Sequence, residues 1–138
     1  MQDIMDSPSH QFCWLDLAAA DMGRASDFYQ KLFGWTAHAE TVGSGTFSRF
    51  QLNNLPIGSM YQLNRRQLEH GTPSHWTPYV AVHSADEFAS RAANLGATVV
   101  IEPFDIPGIA RITLLQDPVG ALFGLWQQPE HQRDPEVL

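Results

Sequence analysis

Landmark residues recur in this chain at one fixed interval. Trp14 and Trp76, Gly34 and Gly96, Arg49 and Arg111, Pro56 and Pro118, and Gly58 and Gly120 each lie 62 residues apart. A single offset shared by five pairs predicts an internal duplication, so each half must build the same supersecondary unit. The 138 residues are otherwise the size of one compact domain, and 43% hydrophobic residues can build its core.

Two helices anchor the halves. In "DMGRASDFYQKLFGW" Asp21 is a candidate N-cap, and Ala25, Phe28, Tyr29, Leu32 and Phe33 recur at helical spacing before Gly34 stops the run. In "SADEFASRAANLGATVV" Ser84 and Glu87 have capping-box spacing, Phe88, Ala92 and Leu95 share a face, and Gly96 ends it. Strands are predicted near 11–17, 35–40, 46–53 and 57–63, and near 76–83, 98–101, 109–116 and 121–127. The turns "NNLPIG" and "QDPVG" favour antiparallel hairpins, and three successive strands without helices exclude a doubly wound parallel sheet. The expected class is α+β: two βαβββ modules, 11–63 and 75–127, forming curved mixed sheets around a cup. Residues 1–10 read as an N-terminal extension, 64–75 as a polar connector, and 128–138 as a polar tail.

Charge narrows the partners. The net charge is −7 and the basic residues are scattered, which argues against nucleic acid and anionic membrane surfaces. No apolar run approaches the roughly 18 residues of a membrane span. The start lacks an apolar signal segment, and a lone cysteine, Cys13, excludes an internal disulfide. A cytoplasmic location is expected.

Paired βαβββ modules, "DFYQKLFGW" after the first strand and "DPVGALFGL" at the last hairpin resemble the vicinal oxygen chelate superfamily. Glyoxalase I, extradiol dioxygenases, fosfomycin-resistance enzymes and bleomycin-binding proteins are members. The resemblance covers about residues 10 to 127 and implies one such domain over 11–127, working as a homodimer. It also implies a divalent metal held at four positions, two per module. Counted from the helix-ending and turn glycines, these fall on Trp14, Gln62, Trp76 and Gly124. Indole offers no lone pair suited to a metal, glycine has no side chain, and one amide oxygen falls short of the three or so protein ligands such an ion needs. No metal and no other cofactor is therefore expected.

Strand alternation gives a candidate cup lining. If Trp14 faces inward, so does Asp16, while Cys13, Leu15 and Leu17 face the helix. A four-residue turn at 117–120 would pair Gly124 with Thr113 and Trp126 with Arg111. The same register would set Gln62 across from Gln51, with Arg49 a step along. The expected ligand-binding residues are thus Trp14, Arg49, Gln51, Met60, Gln62, Trp76, Arg111, Thr113 and Trp126, with Asp16 as the candidate catalytic residue. Indoles with a few polar groups suit a small molecule, planar or aromatic, and the arginines could clamp an anionic group. Space-filling tryptophans and an Asp16–arginine ion pair are the structural alternative.

The histidines His10, His38, His70, His75, His83 and His131 show no ligand spacing on one inward face. "GSG" at 43–45 does not open a helix, and "NRR" at 64–66 reads as a solvated loop end. Three readings remain. The first is a metal-independent small-molecule-binding protein with a sequestration or resistance role. The second is an enzyme of the superfamily (lyase, isomerase or dioxygenase-like) that uses Asp16 as base or an unrecognised metal site. The third is a degenerate domain whose role is association.

Overall fold

A computed structural model of the chain describes residues 9–42 and 45–129. Most of the expected extension and tail, the first two residues of "GSG" and His131 lie outside them. The element order is β1 (Phe12–Ala19), α1 (Met22–Phe33), β2 (Thr36–Val42), β3 (Gly45–Leu52), β4 (Leu55–Gln62), α2 (Arg65–Glu69), β5 (His75–Ala81), α3 (Ala85–Asn94), β6 (Thr98–Ile106), β7 (Ala110–Gln116) and β8 (Leu122–Gln127). The expected α+β class and all eight strands are present, strand–helix–three strands in each half. Among the described residues no helix is long and apolar enough to cross a membrane.

Two compact units divide the chain. One comprises Leu15–Thr77, the other the residues up to Trp14 together with those from Pro78 onward. Both β1 and β5 begin in one unit and end in the other.

In the Leu15–Thr77 unit the strand order is β2-β3-β4-β1, antiparallel except for the parallel β1–β4 pair. The turn between β3 and β4 has Asn53 and Asn54 at φ 54° and 66°, the left-handed pair that a two-residue hairpin requires. Asp21 caps α1 by accepting from the Arg24 N–H at 3.0 Å, and Gly34 ends it at φ 80°. Met22, Ala25 and Tyr29 of α1 pack on Leu17, Ala19, Phe50 and Met60, and Trp35, Ala37 and Ile57 close the edge. Phe50 and Met60 are each 1% exposed, worth about 1.5–3 kcal/mol apiece in burial. Gln62 ties this layer together: its Oε1 accepts from the Met22 N–H at 3.0 Å, and its Nε2 donates to the carbonyls of Ala20 and Leu63.

The short α2 breaks the expected connector. Asn64 and Gln67 form a reciprocal capping box, each side chain bonded to the other's backbone N–H at 2.8 Å. The spacing N-x-x-Q was present in "NRRQ", read instead as a loop end.

The other unit has the order β5-β8-β7-β6, with β5 and β8 parallel. Backbone bonds of His10 and Gln11 with Ala81 add the start of β1 to it. One sheet face packs on α3 through Val82, Ala89, Leu115 and Leu125, with Phe88 and Ala92. The opposite face carries Trp14, Tyr79, Ala110, Ile112, Leu114 and Trp126.

Here the expected register is corrected by one residue. Gly124 pairs with Leu114 and Trp126 with Ile112, while Thr113 and Arg111 pair with Leu125 and Gln127. The cause is the turn. The Asp117 N–H donates to the Ala121 carbonyl at 2.8 Å, and Gly120 takes φ 94°. The loop therefore has three residues and a left-handed glycine, not four residues, and a one-residue slip reverses every face.

Gly124 lies under the ring of Tyr79, which occupies the space a Cβ would need. Gly124→Ala forces that ring out of a buried layer. We expect a loss of about 1–3 kcal/mol, read by urea denaturation, and recovery of part of it in Gly124→Ala/Tyr79→Leu.

Candidate functional site

The sheet of the Leu15–Thr77 unit buries one face under α1, so alternation turns a second row of side chains the other way. Across the strands the row runs His38, Arg49, Ser59 and Asp16, successive register partners on β2, β3, β4 and β1. Tyr61 lies two residues beyond Ser59 on the same face. These groups are polar, in contrast to the apolar layer beneath α1.

Asp16 is the electrostatic anomaly of this face. Its carboxyl is half-buried, and among the described residues it joins no ion pair. Ser59 Oγ donates to Asp16 Oδ1 at 2.7 Å. Desolvation raises its pKa to about 6, against the opposing effects of the Ser59 bond and the nearby His75. The Tyr61 phenol is pushed up too, by burial and then by the Asp16 charge, partly offset by a hydrogen bond with the Gln67 side chain. It therefore stays a neutral donor at neutral pH. His75 places Nδ1 at 2.8 Å from the Pro73 carbonyl. A carbonyl can only accept, so Nδ1 carries the proton and the neutral ring presents Nε2 as an acceptor. Arg49 Nε lies 3.4 Å from Glu40 Oε2, each side chain about a third exposed.

The second feature is aromatic and belongs to the other unit. Trp14 and Trp126 have ring centroids 5.4 Å apart at 37°, and Tyr79 meets Trp126 edge-on at 5.7 Å. Among the described residues, the buried indole N–H of Trp126 and the buried side-chain amide nitrogen of Gln128 have no hydrogen-bond partner. An unmet buried donor costs about 1–3 kcal/mol.

The remaining expected residues lie elsewhere. Met60 belongs to the core beneath α1, and Gln62 is spent on the backbone around the start of that helix. Trp76 packs on the α1 side: its Nε1 donates to Tyr29 Oη at 3.3 Å, and its ring meets Tyr29, Trp35 and Phe50. Gln51 pairs with Pro56 across a β-bulge, not with Gln62. Arg111 is held bidentately by Asp86 at 2.7 and 3.1 Å and by Asp105 at 3.1 Å, so the expected anion clamp is already neutralised. Thr113, fully buried, donates to the Ile101 carbonyl at 2.6 Å. Asp16 pairs with Ser59 rather than with an arginine.

Sequence reading passed over Ser59, Tyr61 and His75. The signal for His75 was in β5: Val80 belongs to the α3-facing layer, so alternation sets Trp76 on that strand's helix side and His75 on the other. The metal implied by the resemblance does not fit the counted positions. Two are indoles, Gln62 has its oxygen committed to a backbone N–H, and a ring covers Gly124. Among the described residues no group of three or more His, Cys, Asp or Glu could hold an ion.

The folded Asp16 carboxyl protonates near pH 6 and the unfolded one near 3.8. The folded state thus binds more protons between those values, and stability falls as pH rises from 4 to 6. Asp16→Asn keeps an acceptor for Ser59 and removes the buried charge. It is expected to be on the order of 1–3 kcal/mol more stable than the parent at pH 7.5 and equal to it at pH 4, measured by urea unfolding at both values.

Among known proteins, DnrV of Streptomyces peucetius, an anthracycline biosynthesis protein, is 31% identical over 129 residues, covering 83% of this chain and 46% of that one. CFP32 of Mycobacterium tuberculosis is 33% identical over 120 residues, 86% of this chain and 46% of its own. The chain thus spans about half the length of these relatives. The Streptomyces coelicolor methylmalonyl-CoA epimerase shares the fold, with a TM-score of 0.65 at 17% identity over 89% of this chain and 97% of that one. The superfamily's own model matches residues 11–125, and the chain belongs to the Glyoxalase/Bleomycin resistance protein/Dioxygenase superfamily.

Proposed function

We propose that this chain is a metal-independent small-molecule-binding member of the superfamily whose ligand is planar or aromatic and carries a hydrogen-bond acceptor. The observation behind this reading is the indole N–H of Trp126, buried beside Trp14 and Tyr79 without a partner among the described residues. Indole faces stack on planar rings for roughly 0.5–1.5 kcal/mol beyond area burial, and a ligand carbonyl would relieve the orphan donor. The relatives named for anthracycline biosynthesis point the same way, since anthracyclines are planar and rich in carbonyl oxygens. A sequestration role and a homodimeric working form belong to this reading. Metal independence rests on the donor chemistry of the four counted positions. An enzyme using Asp16 as base is the second reading, favoured by a carboxyl that titrates near neutrality.

Intrinsic tryptophan fluorescence titrated with anthraquinone-2-sulfonate, a soluble planar quinone, tests the first reading. Quenching should saturate and survive exhaustive chelation. Trp126→Phe keeps an aromatic ring but removes the donor, and should weaken binding about 3- to 10-fold, the loss of one hydrogen bond. Trp14→Ala should weaken it further. Binding that vanishes on chelation, or that neither variant alters, refutes the reading.

A further inference from the structure

We propose that the sheet face centred on Asp16 in the Leu15–Thr77 unit binds the protonated amine of a small organic molecule. The proposal builds on the reading of this chain as a small-molecule binder but rests on residues of the other unit and on a different chemistry. Its first support is the charge pattern. Asp16 Oδ1 is held by Ser59, and Oδ2 has no partner among the described residues. The arginine in the same row has its Nε directed to Glu40. An anion placed here would face both Asp16 and Glu40, whereas a cation finds a carboxylate that joins no ion pair among the described residues.

The second support is the set of acceptors. Pro73 accepts from the Nδ1–H of His75, so in the uncharged tautomer the lone pair lies on Nε2, to which no described residue donates. His75 lies close enough for its charge to act on Asp16. Tyr61 Oη lies on the same face as Asp16. An ammonium group has three N–H donors and no acceptor, and a carboxylate, an imidazole nitrogen and a phenol oxygen answer that inventory. A divalent ion would need a third strong ligand, which this face lacks among the described residues. The half-burial of Asp16 also matters, because a desolvated carboxylate attracts a cation more strongly than one in open water.

Binding of a cation must displace the proton from Asp16 whenever the carboxyl is protonated, so affinity is linked to pH. The titratable and charged groups facing Asp16 are His75 from β5, Tyr61 from β4, Arg49 from β3, and His38 and Glu40 from β2. Among the described residues Asp16 joins no ion pair, and its burial brings protonation of its carboxyl to about pH 6.

Benzylamine is the probe and benzyl alcohol its neutral counterpart, each titrated into the full chain with amide NMR shifts as the readout. The expected result is saturable benzylamine binding around residues 16, 59, 61 and 75, with Kd constant above pH 6.5 and weakening close to tenfold per unit below 6. His75→Gln should weaken the affinity yet keep that slope. Asp16→Asn should lose at least tenfold in affinity at pH 7.5 and abolish the slope. Because this variant is expected to be more stable than the parent, its loss cannot be put down to unfolding. Equal shifts from benzyl alcohol, or unchanged benzylamine affinity in Asp16→Asn, overturn the proposal. Benzylamine and anthraquinone-2-sulfonate are titrated separately, so failure of the amine site and failure of the aromatic face are read independently.

Discussion

Strand register decides the chemistry of this protein. In a pleated strand every second side chain points the same way, so one extra loop residue exchanges the buried layer for the open one. Two turns hold that choice. Asn53 and Asn54, both left-handed, close the hairpin between β3 and β4, and Gly120 sets a three-residue loop between β7 and β8. Ser59 meets Asp16 and Arg111 meets Asp86 only because these turns count the way they do.

The two units put the same topology to different uses. Opposite α1, the sheet of one unit carries acids, histidines, a serine and a tyrosine. Opposite α3, the sheet of the other carries three large aromatic rings and aliphatics. A duplicated framework can diverge this way because the helix-facing layers satisfy the folding requirement by themselves. The opposite faces are then free to differ without loss of the core.

The fold was legible from the chain because it rests on local signals that repeat. Asp21, Gly34, Ser84 and Gly96 bound helices in both readings, and the 62-residue offset doubled the weight of each signal. The site was legible only in part. Asp16 lies on the sheet face opposite α1, and Trp14 and Trp126 do share one aromatic layer. Met60, Gln62, Trp76, Arg111 and Thr113 were misplaced because sequence does not display a hairpin's loop length or a bulge such as that at Phe50/Gln51. Ser59 had no local mark, and His75 was marked only by its alternation with Trp76 on β5. Their meaning comes from neighbours on other strands, and the Ser59–Asp16 contact spans 43 positions of the chain.

The ring of Tyr79 over Gly124 has an evolutionary reading. A chain with a carboxylate at position 124 could not hold a tyrosine in this rotamer at 79, and a chain with this tyrosine has no room for the carboxylate. Neither residue can revert alone without passing through a clashing or hollow intermediate. In a set of relatives, residues 79 and 124 should therefore vary as a pair, a bulky residue at 79 with glycine at 124 or a small residue at 79 with a larger one at 124.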